Sequence, residues 1–391
     1  MLDSSSVKTG KIYYEDAYRV SFSAKAIHIE GRDAVLDKTA FFPEEGGQSP
    51  DRGFLGGIRV LDVKIRDGFI HHILEKEPDF AEGEYAEGRI DWRHRFSNMQ
   101  QHSGEHLFSG IICKRFGYDN VGFHLSEKEV SVDFNGTLGE DELLKAEALA
   151  NEAITANVPS EIIFLEGQEA DQLEYRSKLS LKGSVRIVRF GDYDACACCA
   201  PHVRRTGEIG LLKVLSAVSW KGGTRVFILC GRRAMEYFDQ DHEILTRTAK
   251  YLTTSREEVY NSVLRARKER DNLKEALRKR TLELMFLKAE AVPEGSGNVI
   301  LFESGLEGDS MRELTNALLL RRRGFCGVFS GNDAEGYNFV IGARNEDARK
   351  AAGVLKERLN ARGGGKPEMV QGSVRASQKE IENIFKLCLQ K

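Results

Sequence analysis

The sequence predicts a multidomain α+β chain: a small N-terminal β-barrel, an α+β domain carrying metal-type ligands, a helical coiled-coil arm and a C-terminal α/β domain. Three observations carry that reading. Short strand-like runs in residues 11–90 are separated by glycines at 46, 47, 53, 56, 57 and 68. Residues 238–290 contain no Gly or Pro and are highly charged. Apolar strand runs then alternate with helical patterns from 298 to 391. A length of 391 residues also exceeds one average domain and predicts two to four.

In the first domain (1–90), Val20-Ser21-Phe22 and Ala34-Val35-Leu36-Asp37 read as strands, and Gly56-Gly57 and Asp67-Gly68 as hairpin turns. In the second (91–237), a helix is expected from about Asn98 to Phe116, with Lys114 and Arg115 near its end and Gly117 as its C-cap. Val130–Phe134 alternates like a strand, and Glu140–Asn157 is helical. Val185–Phe190 and Arg225–Leu229 are strands. In the arm (238–292), Val259, Ala266, Leu273, Arg280 and Leu287 recur every seven residues. Val263, Arg270, Leu277 and Leu284 follow four residues after the first four. That seam predicts a coiled coil or an antiparallel helix pair, with a lone amphipathic helix as the alternative. Pro293-Glu294-Gly295-Ser296-Gly297 marks a boundary. In the last domain (293–391), Val299–Phe302, Cys326–Phe329 and Asn338–Ile341 read as strands. Helices are expected near 311–322, 347–359 and 378–390, with a flexible glycine loop before the last.

Composition narrows the function classes. A hydrophobic share of 41% with 30% charged residues suits a soluble globular protein. Met1-Leu2-Asp3-Ser4-Ser5-Ser6 has no apolar h-region and no long apolar run follows, so neither a signal peptide nor a membrane span is expected. Seven cysteines without a disulfide-type framework fit a reducing, cytoplasmic setting. A net charge of −3 argues against a broadly basic nucleic-acid binder, so such contacts need local patches.

Two ligand pairs stand out. His102 and His106 are four residues apart, one turn on a helix face, and a cysteine with the same spacing, Cys198, precedes His202. Three of the seven cysteines, Cys196, Cys198 and Cys199, crowd beside His202. Two His/His and Cys/His pairs supply four ligands suited to Zn²⁺, one per chain, and Cys196 and Cys199 compete with Cys198 for the sulfur position. One H-x-x-x-H alone is a weak signal, and a purely structural zinc satisfies the same pattern.

The motif order carries a resemblance. Phe42-Pro43-Glu44-Glu45-Gly46-Gly47-Gln48 is followed by Asp51 and Gly53, by the histidine pair, by Val185–Asp192, by the Cys198–His202 turn with Thr206-Gly207-Glu208-Ile209-Gly210, and by Lys221–Arg225. This order resembles the editing half of alanyl-tRNA synthetases and the free-standing AlaX editing proteins. Gly363–Gly372 resembles the terminal domain of alanyl-tRNA synthetases, which also occurs on DHH phosphoesterases. Two positions depart from the family pattern: Cys199-Ala200-Pro201 replaces the usual Gly-Gly-Thr, and Ser103 replaces a threonine but keeps its hydroxyl. Too little chain precedes the histidines for an aminoacylation domain, so a full synthetase is not expected.

The resemblance implies a zinc-dependent editing domain at 91–237 that hydrolyses wrongly charged tRNA(Ala), chiefly with serine and also with glycine. An alanine pocket cannot strongly exclude either by size, whereas a site that hydrogen-bonds a hydroxyl rejects alanine. It implies zinc on His102, His106, Cys198 and His202, acting either on a water or as a grip on the substrate's amino group. Candidate pocket residues are Ser103, Gln48, Gly46, Gly47, His124 and Asp133. Glu105, offset from the histidine face, reads as a solvent or second-layer residue. Arg362, Gly363, Gly364, Gly365, Lys366 and Arg375 are candidate tRNA contacts, because glycines admit phosphate close to backbone amides. A homodimer through the arm and C-terminal domain is expected. The alternatives are a non-catalytic tRNA-binding module with a structural zinc and a DHH-type phosphodiesterase. The chain has Asp241-His242-Glu243 but no Asp-His-His, which counts against the latter.

Overall fold

The structure, a computed structural model, describes residues 8–126, 129–165, 175–177 and 185–387. It divides into two compact units, residues 1–246 and 247–391.

The first unit opens with Gly10–Lys11 (β1) and the one-turn helix Ile12–Glu15 (α1). Ser21–Glu30 (β2), Asp33–Leu36 (β3), Lys38–Thr39 (β4), Gly53–Leu55 (β5), Ile58–Arg66 (β6), Phe69–Leu74 (β7) and Tyr85–Ile90 (β8) follow. All but β1 and β4 close into a barrel in the order β2-β3-β7-β6-β5-β8. Both hairpin signals act as read. Gly56 and Gly57 (φ 57° and 77°) join β5 to β6, and Asp67 and Gly68 (φ 53° and 83°) join β6 to β7. Two successive positive φ values match the right-handed twist of the flanking strands.

Trp92–Phe116 (α2) starts earlier than the sequence suggested. Asp91 caps it, accepting a hydrogen bond from His94 N at 3.2 Å, and Gly117 ends it in the left-handed region at φ 73°. Asn120–Leu125 (β9), Val130–Phe134 (β10), Glu140–Thr155 (α3), Ser160–Leu165 (β11), Val185–Phe190 (β12), Asp194–Ala197 (β13), Leu212–Trp220 (β14), Gly223–Cys230 (β15) and Gly231–Tyr251 (α4) complete this part. The strands form one sheet in the order β14-β15-β10-β9 and another in the order β11-β12-β13. Helix α2 is buried on every side between Asn98 and Ile112, so it lacks an amphipathic stripe. Gln101 clamps it to β15, its side-chain amide donating to Cys230 O at 2.6 Å and accepting from Cys230 N at 2.8 Å. The fully buried Arg95 ties it to the barrel through Asp51, whose carboxylate also accepts from Phe42 N at 2.6 Å.

The second unit holds Val259–Glu290 (α5), Val299–Glu303 (β16), Gly308–Arg321 (α6), Phe325–Asn332 (β17), Gly336–Ala343 (β18), Ala348–Leu359 (α7), Arg362–Lys366 (β19), Met369–Val374 (β20) and Gln378–Leu387 (α8). Its sheet runs β16-β17-β18-β20-β19. The rest of the expected last helix, 388–390, lies outside the described residues. Among the described residues no helix is long and apolar enough to cross a membrane.

Two expectations need correction. The 238–290 stretch is not one helix, because it breaks between α4 and α5. Thr253 enters the left-handed region at φ 52°, and Thr254 N reaches back to Ala249 O at 3.0 Å. That is a helix-ending 6→1 bond, built on a polar β-branched residue where glycine is usual. The 363–365 glycine run is not a loop but the exposed edge strand β19, paired with β20. A Cβ on Gly363 would stand 2.2 Å from Gln371 O, so glycine is what lets the two backbones approach.

Candidate metal centre

Helix α2 and the turn after β13 bring the two ligand pairs together. His102, His106, Cys198 and His202 each present one donor atom, all within 4.8 Å of one another. Cys198 Sγ lies 3.6 Å from His102 Nε2 and 3.3 Å from His202 Nε2. Metal–ligand bonds of about 2.0–2.3 Å in a tetrahedron give donor separations of about 3.3–3.7 Å. The donor set therefore fits Zn²⁺. Cys198 takes the sulfur position in this group, while Cys196 groups instead with His106 and Asp194, and Cys199 lies beside Glu45.

Each histidine has a polar group at its far nitrogen, a hydrogen-bond partner for His102 and His202 and an ion-pair contact without hydrogen-bond geometry for His106. His102 Nδ1 faces Gln48 Oε1 at 2.8 Å, His106 Nδ1 faces Asp194 Oδ2 at 3.1 Å, and His202 Nδ1 faces Ser103 Oγ at 3.0 Å. Such partners fix the ring and leave Nε2 free to ligate. Burial, with His106 and His102 nearby, holds His202 well below its usual range and so neutral, as ligation requires. Burial pushes the Cys198 thiol well up, and the Arg186 guanidinium works against that. A bound cation's charge acts in the same sense as Arg186. Burial would also raise the Asp194 carboxyl, but His106 and Arg176 outweigh it and hold it below the usual range. Arg176 binds both Asp194 oxygens, at 2.7 and 3.0 Å.

A cavity of about 560 Å³ opens onto the ligands. Its walls include Tyr14, Glu45, Gly46, Phe123, Phe164 and Arg186 together with His102, His106 and Cys198. The barrel's core cluster reaches the ligand turn, where Ala200 is fully buried in it and Cys198 and Cys199 pack against it.

The sequence candidates separate. Gly46 lines the cavity. Gly47, at φ 82°, accepts from Leu125 N at 2.9 Å and leaves no room for a Cβ beside Phe123 O. Ser103 is spent on His202 and on Val203 N, which donates to its hydroxyl at 3.2 Å. Gln48 holds His102, and its Nε2 is buried with no partner among the described residues. His124 and Asp133 do not line the cavity. His124 is exposed, and Asp133 binds Arg225 at 2.6 and 2.7 Å. Side chains alternate along β9, so the wall position falls to Phe123, whose ring is 4.8 Å from His102. Glu105 is not solvated. It is 3% exposed and forms part of the wall, because α2 has no solvent face for an offset residue to occupy. Arg176 had no sequence signal. Of the C-terminal candidates, Arg362 to Lys366 lie along exposed β19, and Arg375 is exposed just after β20.

Residues 185–226 match the threonyl and alanyl tRNA synthetase second additional domain, and residues 7–94 match the class II (A) tRNA synthetases. The alanine–tRNA ligase of Pyrococcus furiosus is 30% identical over 405 residues, covering 97% of this chain and 43% of the ligase. The chain thus spans less than half the length of the ligases it matches. The alanyl-tRNA editing protein AlaX-L of Pyrococcus horikoshii is 28% identical over 402 residues, 96% of both chains. A solved C-Ala domain of Aquifex aeolicus alanyl-tRNA synthetase is 20% identical over 26% of this chain and 99% of its own, with a TM-score of 0.23. The matched segments make the chain similar in sequence to the part of alanyl-tRNA synthetases that these matches cover. More particularly, it is a homologue, over nearly its whole length, of the AlaX-L alanyl-tRNA editing protein.

Proposed function

We propose that the protein is a trans-editing deacylase that hydrolyses the ester of mischarged tRNA(Ala), chiefly Ser-tRNA(Ala) and also Gly-tRNA(Ala). The observation that carries this reading is the four-ligand cluster on the wall of a cavity, in a chain that aligns end to end with an editing protein. Zn²⁺ on His102, His106, Cys198 and His202 would supply Lewis-acid polarisation for ester cleavage. The chain's own residues do the rest. Gln48, Asp194 and Ser103 hold the three imidazoles in one orientation. Tyr14, Phe123 and Phe164 give the cavity apolar walls that exclude water from the bound ester. Gln48 is buried outside the cavity wall and acts through His102. The serine preference rests on the general rule that a site built to hydrogen-bond a hydroxyl rejects alanine. Glycine, which lacks that hydroxyl, is accordingly the weaker substrate.

In the second unit, Arg362, Gly363, Gly364, Gly365, Lys366 and Arg375 make a local cationic edge on a chain of net charge −3, suited to tRNA phosphates. The exposed stripe on α5 is suited to a homodimer. The four-part layout at 1–90, 91–237, 238–292 and 293–391 assigns these tasks to the barrel, the zinc domain, the arm and the tRNA-binding domain.

The test is deacylation of Ser-, Gly- and Ala-tRNA(Ala) by zinc-loaded protein. Serine release should be fastest and alanine largely spared, and His102→Ala should lose zinc and activity together. Release of all three at the spontaneous rate would leave a tRNA-binding module with a structural zinc.

A further inference from the structure

Glu105 has no role in the scheme above, yet it stands beside the ligands in the wall of the same cavity. It is 3% exposed, which is a costly place for a carboxylate. Two side chains hold it: Ser109 Oγ and, at 2.5 Å, Asn120 Nδ2. Both donate to Oε1, and Asn120 Nδ2 also donates to Ser109 Oγ at 3.1 Å. The carboxylate is therefore aimed by a neutral network on one oxygen, and Oε2 takes neither of these bonds. Among the described residues no cation pairs with it, and Arg176, in the same wall, is committed to Asp194 and to His106 O. A buried carboxylate whose two donors are neutral and share one oxygen is best compensated by a positively charged partner. The acylated 3′ end of a tRNA carries one such group, the α-ammonium of the amino acid.

Resting on the deacylase reading, we infer that Glu105 binds the substrate's α-ammonium group and so positions the ester against the ligand cluster. This makes the site selective for aminoacyl esters with a free amine. Serine and glycine share that group, so Glu105 sets the substrate class and leaves the choice between side chains to other residues. Glu45 is the other carboxylate in the wall; it interacts with the Cys199 thiol and its Oε2 is buried without a hydrogen-bond partner among the described residues, so the test below separates the two.

The test uses two non-hydrolysable ligands, 3′-serylamino-3′-deoxyadenosine and its N-acetyl form, with binding to the zinc-loaded full chain measured at pH 6, where the α-amine is protonated. The wild type should prefer the free amine about 10- to 100-fold, the range expected of a charge-assisted hydrogen bond. Glu105→Gln should erase that preference, while its amide oxygen still accepts from Ser109 and Asn120 and zinc content stays at the wild-type level. Glu45→Gln should keep the preference. On Ser-tRNA(Ala), Glu105→Gln should raise KM, with no change toward N-acetyl-Ser-tRNA(Ala). Equal or absent binding of the two ligands by the wild type, or an intact preference in Glu105→Gln, overturns the inference. So does an equal loss of kcat on both tRNAs, which would make Glu105 a proton acceptor. An intact binding preference without any hydrolysis would overturn the deacylase reading instead.

Discussion

His72 shows how far one residue's environment can move it. It is fully buried in the barrel, with Nδ1 2.9 Å from Ala34 O and Nε2 2.9 Å from Thr39 Oγ1. That arrangement suits the neutral ring with its proton on Nδ1, and burial lowers its pKa from 6.5 to about 4. The unfolded chain takes up the proton below pH 6.5, the folded chain only near pH 4. The stabilisation from keeping His72 neutral is therefore complete above pH 6.5 and lost as pH falls through 4, at most about 3 kcal/mol. The urea midpoint of the first unit should drop between pH 7 and pH 4.5. In His72→Gln the drop should be smaller, and an identical drop in the variant would show that other groups cause it. At the ligand cluster the same scale of reasoning separates what was legible. The gathering of His102, His106, Cys198 and His202 was readable from their pairing, the histidines one turn apart on α2 and the Cys198–His202 pair in a turn outside any helix. Their orienting partners were not, because Gln48 lies 54 residues from His102, and Ser103 lies 99 from His202.

Among the elements, α2 carries the most information per residue. Its end at Gly117 was readable as a cap, but its burial on every side was not, and that removes the solvent alternative for Glu105. The helix sits so close to β15 that a Cβ on Gly104 would stand 2.2 Å from Cys230 Sγ and 3.2 Å from Cys230 Cβ. Gly104→Ala should therefore push α2 off the strand at a cost of about 1–3 kcal/mol and lower the Tm. Cys230→Ala removes the sulfur but not the Cβ, so the double variant should recover part of that loss. No recovery would place the strain elsewhere. The barrel hairpins were legible for the opposite reason, since Gly56-Gly57 and Asp67-Gly68 act through their own dihedral angles.

For the whole molecule, the open question is what covers α5. Met285 and Ala289 are buried in a cluster with α6, whereas Val263, Leu273, Leu277, Leu284 and Leu287 are 48–69% exposed. Apart from Val259, which is buried, the apolar residues of the heptad seam are therefore exposed. The proposed homodimer would bury them, and Leu273→Glu with Leu277→Glu should convert a dimer to a monomer in light scattering. A monomeric wild type at micromolar concentration would refute the dimer. A truncation after Val292 should keep zinc and basal hydrolysis but bind tRNA more weakly and with a shallower salt dependence, because it removes Arg362, Lys366 and Arg375. Equal tRNA affinity at matched salt would refute the role of that edge.

The sequence by itself determined the local features: two ligand-type pairs at four-residue spacing, two hairpin turns, the Gly117 cap of α2, and the order of motifs that points to editing. Each depends on residues within a few positions of one another. Tertiary structure alone decided that Asp194 holds His106, that Ser103 serves a ligand rather than the cavity, and that β9 turns Phe123 and not His124 toward the ligands. It also decided that a glycine run is an edge strand and that Glu105 is buried. The physical reason is common to all of these. They depend on which surfaces meet after elements distant in sequence pack together, and no local pattern records which face of α2 meets the barrel and which meets β15.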